Sequence, residues 1–170
     1  NKVLTVGRLE EQKNYQSLIK SLQGLNIEID IVGEGSQKSE LEKLAQRTGV
    51  SVNFLGTFNF FELNRLYSKY KVFLSTSSFE GNPKVILEAL ASGCVVIAKN
   101  TSNLRDVIEN KNTGFLYDDS KDISKLVNNV LLDDNIFTEV SDKGLSKVKN
   151  SYHLSSILQK EVSNYKKLIN

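Results

Sequence analysis

Residues 72–98 read VFLSTSSFEGNPKVILEALASGCVVIA, and this stretch determines the fold class that we predict. The mainly apolar runs Val72–Ser75 and Val95–Ala98 are typical of strands that are buried on both faces of a parallel sheet. Between them, Pro83 is suited to the first position of a helix that follows an Asn82 cap. Because a helix that joins two parallel strands gives a right-handed crossover, the stretch predicts an α/β fold.

The same alternation of apolar runs and helical segments continues along the chain. The predicted strands are Lys2–Val6, Glu28–Val32, Ser51–Leu55, Val72–Ser75, Val95–Ala98 and Gly114–Tyr117. From about Asp122 onwards the strands stop, and helical spacing predicts C-terminal helices, two of them near Asn135–Lys149 and Leu154–Ile169. We therefore predict a doubly wound, Rossmann-like parallel sheet of six strands in the order 3-2-1-4-5-6, with extra C-terminal helices.

Local signals predict where the helices begin and end. Asn14, Ser36 and Asn59 stand where N-caps are expected, and Glu62 completes a capping-box pattern with Asn59. In the helix after Pro83, we expect three side chains to face the core. They are Leu87, Leu90 and Ala91, and Gly93 is expected to end that helix.

The composition narrows the classes of function. With 22 basic and 20 acidic residues, the net charge of +2 gives no general attraction to nucleic acid. One cysteine and one histidine exclude an intramolecular disulfide and a zinc site made of Cys and His alone. No apolar run approaches the roughly 18 residues that span a membrane, and no signal peptide is visible. We expect a cytoplasmic protein, with peripheral attachment at the inner membrane face as the alternative.

The chain has the length of one domain, residues 1–170, and we expect that domain to be a fragment of a larger protein. It contains no methionine and opens directly on the apolar run Val3–Val6. The alternative is a full protein that has been processed or cleaved from a tag.

Charged and small residues follow the predicted strands, at the edge where ligands bind in open parallel sheets. Arg8 and Lys13 follow the first strand, and free N–H groups at the start of the Pro83 helix add a positive dipole end. These groups suit a diphosphate, and the glycines that would let it approach the backbone are Gly7, Gly33, Gly35 and Gly81. Glu88 suits a diol such as a ribose, and Glu80 suits a sugar on the other side of the phosphates.

Each signal also has a structural interpretation. Taken alone, Arg8 and Lys13 are ordinary surface cations, and Glu80 and Glu88 are ordinary solvated acids. The glycines are common turn residues. Three aromatic side chains offer either a nucleobase platform or core and interface packing. They are Phe58, Phe60 and Phe61.

The joint spacing of these residues resembles the C-terminal domain of the retaining glycosyltransferases of group one, a family with the GT-B fold. The stretches that carry the resemblance are VGRLEEQKN at 6–14, IVGEG at 31–35, VNFLGTF at 52–58, SSFEGNPKVILEALASGCVVIA at 77–98 and NTGFLY at 112–117. The chain departs from the family at Asn82, where an apolar residue is common. It also lacks a pair of glycines and a glutamate within residues 101–106, where Asp106 is the candidate substitute for that acid.

The resemblance implies a role for each site residue. Arg8 and Lys13 bind the donor diphosphate and stabilise it as it leaves, while Glu88 holds the ribose hydroxyls and Glu80 contacts the transferred sugar. Backbone around the start of the Pro83 helix borders the diphosphate, namely at Gly81, Asn82, Pro83 and Lys84, although Pro83 has no N–H to donate. Gly33, Leu55 and Gly56 border the nucleobase.

The resemblance also implies the reaction and its partners. A hexosyl unit moves from a nucleoside diphosphate sugar, UDP- or GDP-linked, to an acceptor hydroxyl with retained anomeric configuration and without a metal or other cofactor. An N-terminal domain of the same protein supplies the acceptor site for a saccharide or a lipid-linked saccharide, and any membrane contact. The isolated chain is then inactive. Two alternatives stay open, a GT-B epimerase or phosphorylase and a non-catalytic module that binds nucleotide sugar.

Overall fold

The computed structural model of the chain describes residues 1–79 and 83–152. In this part, the strands are β1 (Lys2–Val6), β2 (Glu28–Val32), β3 (Ser51–Gly56), β4 (Val72–Ser75), β5 (Val95–Lys99) and β6 (Phe115–Tyr117). The α-helices are α1 (Tyr15–Ser21), α2 (Lys38–Thr48), α3 (Phe60–Tyr67), α4 (Lys84–Ala91), α5 (Ser102–Val107), α6 (Asp122–Leu132) and α7 (Asp134–Ser151). A 3₁₀ turn covers Glu11–Lys13.

The strands form one parallel sheet in the order β3-β2-β1-β4-β5-β6. This confirms the predicted doubly wound sheet, with its switch point between β1 and β4. The predicted bounds are correct to within a residue, since β3 continues to Gly56, β5 continues to Lys99 and β6 begins at Phe115. The prediction succeeds because all of β4 and most of β5 are buried, which continuous apolar runs indicate directly.

Alternate residues of the strands face two different layers of helices. In β1, Val3 belongs to the core cluster that includes side chains of α1, α2 and α6, whereas Leu4 belongs to the cluster with α3, α4 and α5. In β4, Leu74 and Phe73 are divided in the same way. Because side chains alternate in this way, helices cover both faces of the sheet. A ligand is therefore expected to bind at the carboxyl ends of the strands.

One predicted N-cap, Ser36, is wrong, and another, Asn14, is correct in position but does not cap through its side chain. Asn14 precedes α1 but lies in the left-handed region at φ 50°, and its side chain makes no capping hydrogen bond. The Ser36 hydroxyl donates to Glu10 Oε2 at 3.0 Å instead, and α2 begins later, at Lys38. Asn59 is a true cap, because its side chain accepts from the Glu62 N–H while the Glu62 carboxylate accepts from the Asn59 N–H.

Helix α4 begins one residue later than expected, since Pro83 is its N-cap and Lys84 its first residue. The inward face is formed by Ile86, Ala89 and Leu90, which are buried. The expectation for Leu90 is therefore confirmed, whereas that for Ala91 is wrong because this side chain is exposed. Asn82 lies outside the described residues.

After β5 the chain forms α5, a short helix that we did not predict. The two helices that follow β6 are confirmed as α6 and α7, and the helix predicted at 154–169 lies outside the described residues. Helix α7 is attached to the turn between α4 and β5, because the Ser141 hydroxyl donates to the Gly93 carbonyl at 2.7 Å. None of the described helices has the length and apolar character needed to cross a membrane.

The loops after β1, β2 and β3 touch through their backbones. The Gly7 N–H donates to the Val32 carbonyl at 2.9 Å, and the Gly33 N–H donates to the Gly56 carbonyl at 2.7 Å. A Cβ atom on Gly33 would stand 2.0 Å from the Gly7 carbonyl oxygen, which is far inside van der Waals contact. Only glycine at position 33 therefore allows these loops to stack at the carboxyl edge of the sheet.

Replacing Gly33 with Ala should lower the free energy of unfolding by about 3 kcal/mol or more, because the new methyl group collides with fixed backbone. Gly24→Ala is the matched control, since Gly24 has a φ of +80° but nothing within 4 Å of its Cβ position. That control should lose only about 1–2 kcal/mol, the cost of a left-handed backbone. Chemical denaturation measures both variants, and equal losses would contradict the backbone contact.

Candidate functional site

The 3₁₀ turn after β1 is bound to the segment that follows β4. The Thr76 hydroxyl donates to the Lys13 carbonyl at 2.8 Å and also lies 3.0 Å from the Asn14 carbonyl. The Ser78 N–H donates to the Gln12 carbonyl at 3.1 Å, and Gln12 Nε2 donates to the Phe79 carbonyl at 2.9 Å. These bonds join the two loops that flank the switch point, and they place Lys13 beside the segment that leads to α4.

The Lys13 side chain lies along the end of β1. A Cβ atom on Gly7 would be 3.0 Å from Lys13 Cε and 3.4 Å from Cδ, so the missing side chain at position 7 leaves room for the lysine stem. The Tyr15 hydroxyl also donates to the Gly7 carbonyl, at 3.1 Å. Lys13 is half-buried, whereas Arg8, directly after β1, is exposed. The structure thus brings Gly7 and Lys13 together and leaves the Arg8 side chain in solvent.

Glu88 lies one turn inside α4, and two neighbours hold it within the part of the chain that the structure describes. Tyr67 Oη donates to Glu88 Oε2 at 3.2 Å, and Lys84 Nζ lies 3.7 Å from Oε1. The Glu88 side chain is 15% exposed, so it is mostly buried but still accessible from the surface. A carboxylate has about four lone-pair positions, and two single partners leave room for the hydroxyl donors of a diol.

The structure corrects our interpretation of two glycines. We expected Gly33 and Gly35 to leave space for a ligand, but that space is taken by backbone. The Cβ position of Gly33 meets Gly7, and that of Gly35 meets the Leu9 carbonyl oxygen at 2.5 Å. These glycines therefore allow neighbouring loops to pack closely against each other. They do not leave space for a ligand at the edge of the sheet.

The aromatic residues after β3 divide into two groups. Phe58 is half-buried and packs against the core under α3 and α4, so the packing interpretation applies to it. Phe60 and Phe61 are 55% and 75% exposed, with ring centroids 5.6 Å apart in an edge-to-face arrangement. Lys84 Nζ lies 5.9 Å from the Phe60 centroid, which links this exposed pair to the surroundings of Glu88. Leu55, near the end of β3, is also exposed.

Several predicted site residues lie outside the described part of the chain. They are Glu80, Gly81 and Asn82, so their roles stay predictions. Asp106, the candidate substitute for the family glutamate, is exposed on α5. Within residues 1–79 and 83–152, no group of three or more His, Cys, Asp or Glu side chains is arranged to hold a metal ion.

Sequence reasoning missed Tyr67 as a residue of the site. Its position in an amphipathic helix indicates a core residue, and its side chain is indeed fully buried. The partner of its hydroxyl, Glu88, is 21 residues away on another helix. No local pattern in the sequence reports that contact.

A family model described as glycosyl transferases group 1 matches residues 1–146. A *Campylobacter jejuni* protein is 30% identical over 159 residues, which are 88% of this chain and 44% of the relative. It is an α-1,4-N-acetyl-D-galactosaminyltransferase that acts on GalNAc-α-(1→4)-GalNAc-α-(1→3)-diNAcBac-PP-undecaprenol. The chain spans less than half the length of the curated relatives that it matches.

Several solved structures share the fold, and two of them serve as examples. The C-terminal domain of a glycosyl transferase group 1 family protein (LpcC) from *Francisella tularensis* has a TM-score of 0.81 at 23% identity, covering 90% of this chain and 86% of that one. *Anabaena* HepE in complex with UDP and glucose has a TM-score of 0.87 at 21% identity, covering 98% of this chain and 48% of that one. At these identities the likeness concerns the fold.

Replacing Thr76 with Val keeps the branched shape but removes one of the hydrogen-bond donors that join the two loops. We expect the free energy of unfolding to fall by about 1–2 kcal/mol, because the partly buried carbonyl groups of Lys13 and Asn14 lose this donor. Amide hydrogen exchange at Ser78, whose N–H bonds across the same junction, should become faster.

Thr5→Val is the matched control for this variant. Thr5 is 3% exposed and lies in β1, and none of the hydrogen bonds that join the two loops involves it. Thr5→Val should therefore leave the exchange at Ser78 unchanged, because it breaks no bond between the loops. If Thr76→Val leaves both stability and exchange at the level of this control, the anchoring role is wrong.

Proposed function

Because this chain belongs to the glycosyl transferases group 1 family, we propose that it is the donor-binding half of a glycosyltransferase. In this proposal the enzyme moves a hexosyl unit from a nucleoside diphosphate sugar to an acceptor hydroxyl and retains the anomeric configuration. The observation that carries the proposal is the junction at Thr76, which holds the Lys13 loop against the segment leading to α4. The donor diphosphate occupies the crevice between these two elements.

Electrostatics favours an anion in this crevice. Helix α4 presents free backbone N–H groups and its positive dipole end at Lys84 and the residues that follow. The Lys13 ammonium adds a full positive charge from the other side, and we propose that Arg8, which is exposed directly after β1, adds a second. Together they neutralise the diphosphate as negative charge develops on its leaving oxygen, the role that a metal ion plays in other transferases.

The two sugar rings of the donor lie on opposite sides of the diphosphate. Glu88 accepts hydrogen bonds from the ribose diol, since it is half-buried on α4 and its carboxylate is fixed by Tyr67. Glu80 contacts the transferred hexose, and the backbone at 81–84 borders the phosphates, with Pro83 as a residue that shapes the turn. Gly33, Leu55 and the loop after β3 border the nucleobase, where exposed Phe60 and Phe61 add apolar surface.

The names of the relatives support a nucleotide-sugar donor. HepE is seen with UDP and glucose, and another neighbour, *Staphylococcus aureus* TarM, is seen with UDP and α-GlcNAc-glycerol. The *Campylobacter* relative transfers N-acetylgalactosamine to an undecaprenol-linked saccharide. We therefore propose a UDP- or GDP-linked donor and a saccharide or lipid-linked saccharide as acceptor, in the synthesis of a cell-surface glycan at the cytoplasmic side.

The acceptor site belongs to the part of the relatives that this chain does not match. The chain covers 44% of the *Campylobacter* protein, which leaves room for a second domain of similar size. We propose that this second domain closes the crevice and binds the acceptor. The isolated chain then binds nucleotide without transferring sugar.

The isolated chain should bind a nucleoside diphosphate, which a titration with UDP, GDP and ADP followed by amide NMR shifts will test. We expect one of them to shift the amides of Lys84 and Glu88, and to stabilise the fold by about 2.7 kcal/mol at 100 times its dissociation constant. Inorganic phosphate is the control ligand, and it should shift these amides far less. The proposal fails if none of the three nucleotides moves these resonances.

In the complete enzyme, Arg8→Ala and Lys13→Ala should each reduce kcat by about 10²-fold or more, because each removes a cation that stabilises the leaving group. The control is Lys43→Ala on the exposed face of α2, which should leave kcat unchanged. The stability of all three variants should stay close to that of the parent. Turnover that survives both site variants would rule out the assigned role.

A further inference from the structure

Tyr67 is the last residue of α3, and its side chain is fully buried between the helices and the sheet. Its ring lies 5.8 Å from the ring of Phe73 on β4, tilted by 55°. The Cys94 thiol, just before β5, donates to the Tyr67 carbonyl at 3.2 Å. Both the ring and the backbone of this residue are thus fixed by the strands, and its hydroxyl points towards α4.

The hydrogen bond between Tyr67 and Glu88 has a fixed direction. Burial, and then the charge of Glu88, raise the pKa of the Tyr67 phenol well above its ordinary value. The phenol is therefore protonated at every pH near neutrality, so it donates and Glu88 accepts. Burial also raises the pKa of the Cys94 thiol to about 12, so the thiol keeps its proton as a donor to the Tyr67 backbone.

The second neighbour of Glu88 holds it far less firmly. The Lys84 side chain is 71% exposed, and its Nζ lies 3.7 Å from Glu88 Oε1. Exposed ion pairs between flexible side chains contribute little, because solvent screens them and the lysine loses conformational freedom. The orientation of the Glu88 carboxylate therefore depends on the buried phenol, with Lys84 as a mobile partner.

We propose that Tyr67 is a positioning residue of the donor site, whose phenol holds the Glu88 carboxylate in the orientation that accepts the ribose hydroxyls. This inference rests on the proposed function, in which Glu88 binds the ribose. One oxygen of the carboxylate is held by Tyr67, and in this proposal the remaining lone pairs accept the ribose hydroxyls. Without that bond the carboxylate rotates towards Lys84 and solvent, and the two hydroxyls of the diol lose their common acceptor.

The test compares ribonucleotides with 2′-deoxyribonucleotides, since only the ribose contact distinguishes them. Dissociation constants for UDP and 2′-deoxy-UDP, and for GDP and 2′-deoxy-GDP, are measured by calorimetry on the parent chain and on Tyr67→Phe. The parent should bind the ribonucleotide about tenfold more tightly. In Tyr67→Phe, which keeps the buried ring, this preference should fall to about threefold or less.

Tyr70→Phe is the matched control, because it also removes a phenol hydrogen bond close to the end of α3. Tyr70 Oη donates to buried Asp30 at 2.5 Å, in a network that contains Asn53 and does not involve Glu88. Tyr70→Phe should retain the full ribose preference even where its stability falls. A double-mutant cycle completes the test, since Tyr67→Phe should change the preference no further in a Glu88→Ala background.

The outcomes separate the inference from the proposed function. A parent chain that binds none of these nucleotides refutes the proposed function itself. A parent that binds them but retains its ribose preference in Tyr67→Phe overturns the positioning role alone. The role is also overturned if Tyr67→Phe and Tyr70→Phe lose the preference equally, or if the parent has no preference to lose.

Discussion

The hydroxyl of Thr76, bonded to the carbonyl groups of Lys13 and Asn14, is the interaction on which the site depends. In a doubly wound sheet the chain leaves β1 towards one face and β4 towards the other, so the loops after these strands diverge unless something joins them. The buried hydroxyl of Thr76 makes that connection, together with the hydrogen bonds of Gln12 and Ser78 across the same junction. The crevice between the loops then has a cation on one wall and the start of α4 on the other, and both are fixed before any ligand arrives.

Other groups at the carboxyl edge of the sheet are also held in place by contacts within the protein. The loop after β2 can lie against the loop after β1 only because Gly33 has no side chain. In the same way, the aliphatic part of Lys13 packs where a side chain at Gly7 would lie. On the other side of the crevice, Tyr67 fixes Glu88 from a core position that is itself held by β4 and β5. The polar groups of the proposed donor site are thus supported by buried contacts, which lowers the cost of binding a flexible nucleotide sugar.

The parts of the fold that the sequence predicted well are those decided by burial. β4 and β5 appear as continuous apolar runs because both faces of the sheet are covered, so their bounds and their order could be inferred. Asn14 stands at the predicted N-cap position, but its side chain makes no capping hydrogen bond. The cap at Ser36 was wrong because a short polar side chain can also bond to other nearby groups, and Ser36 bonds to Glu10 across the loop contact. The candidate site divides similarly. The positions of Lys13 and Glu88 followed from strand order, whereas Tyr67 and the true role of Gly33 depend on contacts between segments far apart in sequence.

The most direct measurement is a crystal structure of the chain with the nucleoside diphosphate that it binds. Our account predicts that the diphosphate lies within hydrogen-bond distance of Lys13 Nζ and of backbone N–H groups at the start of α4, with the ribose hydroxyls on Glu88. A nucleotide bound away from the crevice between β1 and β4, or a ribose that leaves Glu88 without contact, would contradict it.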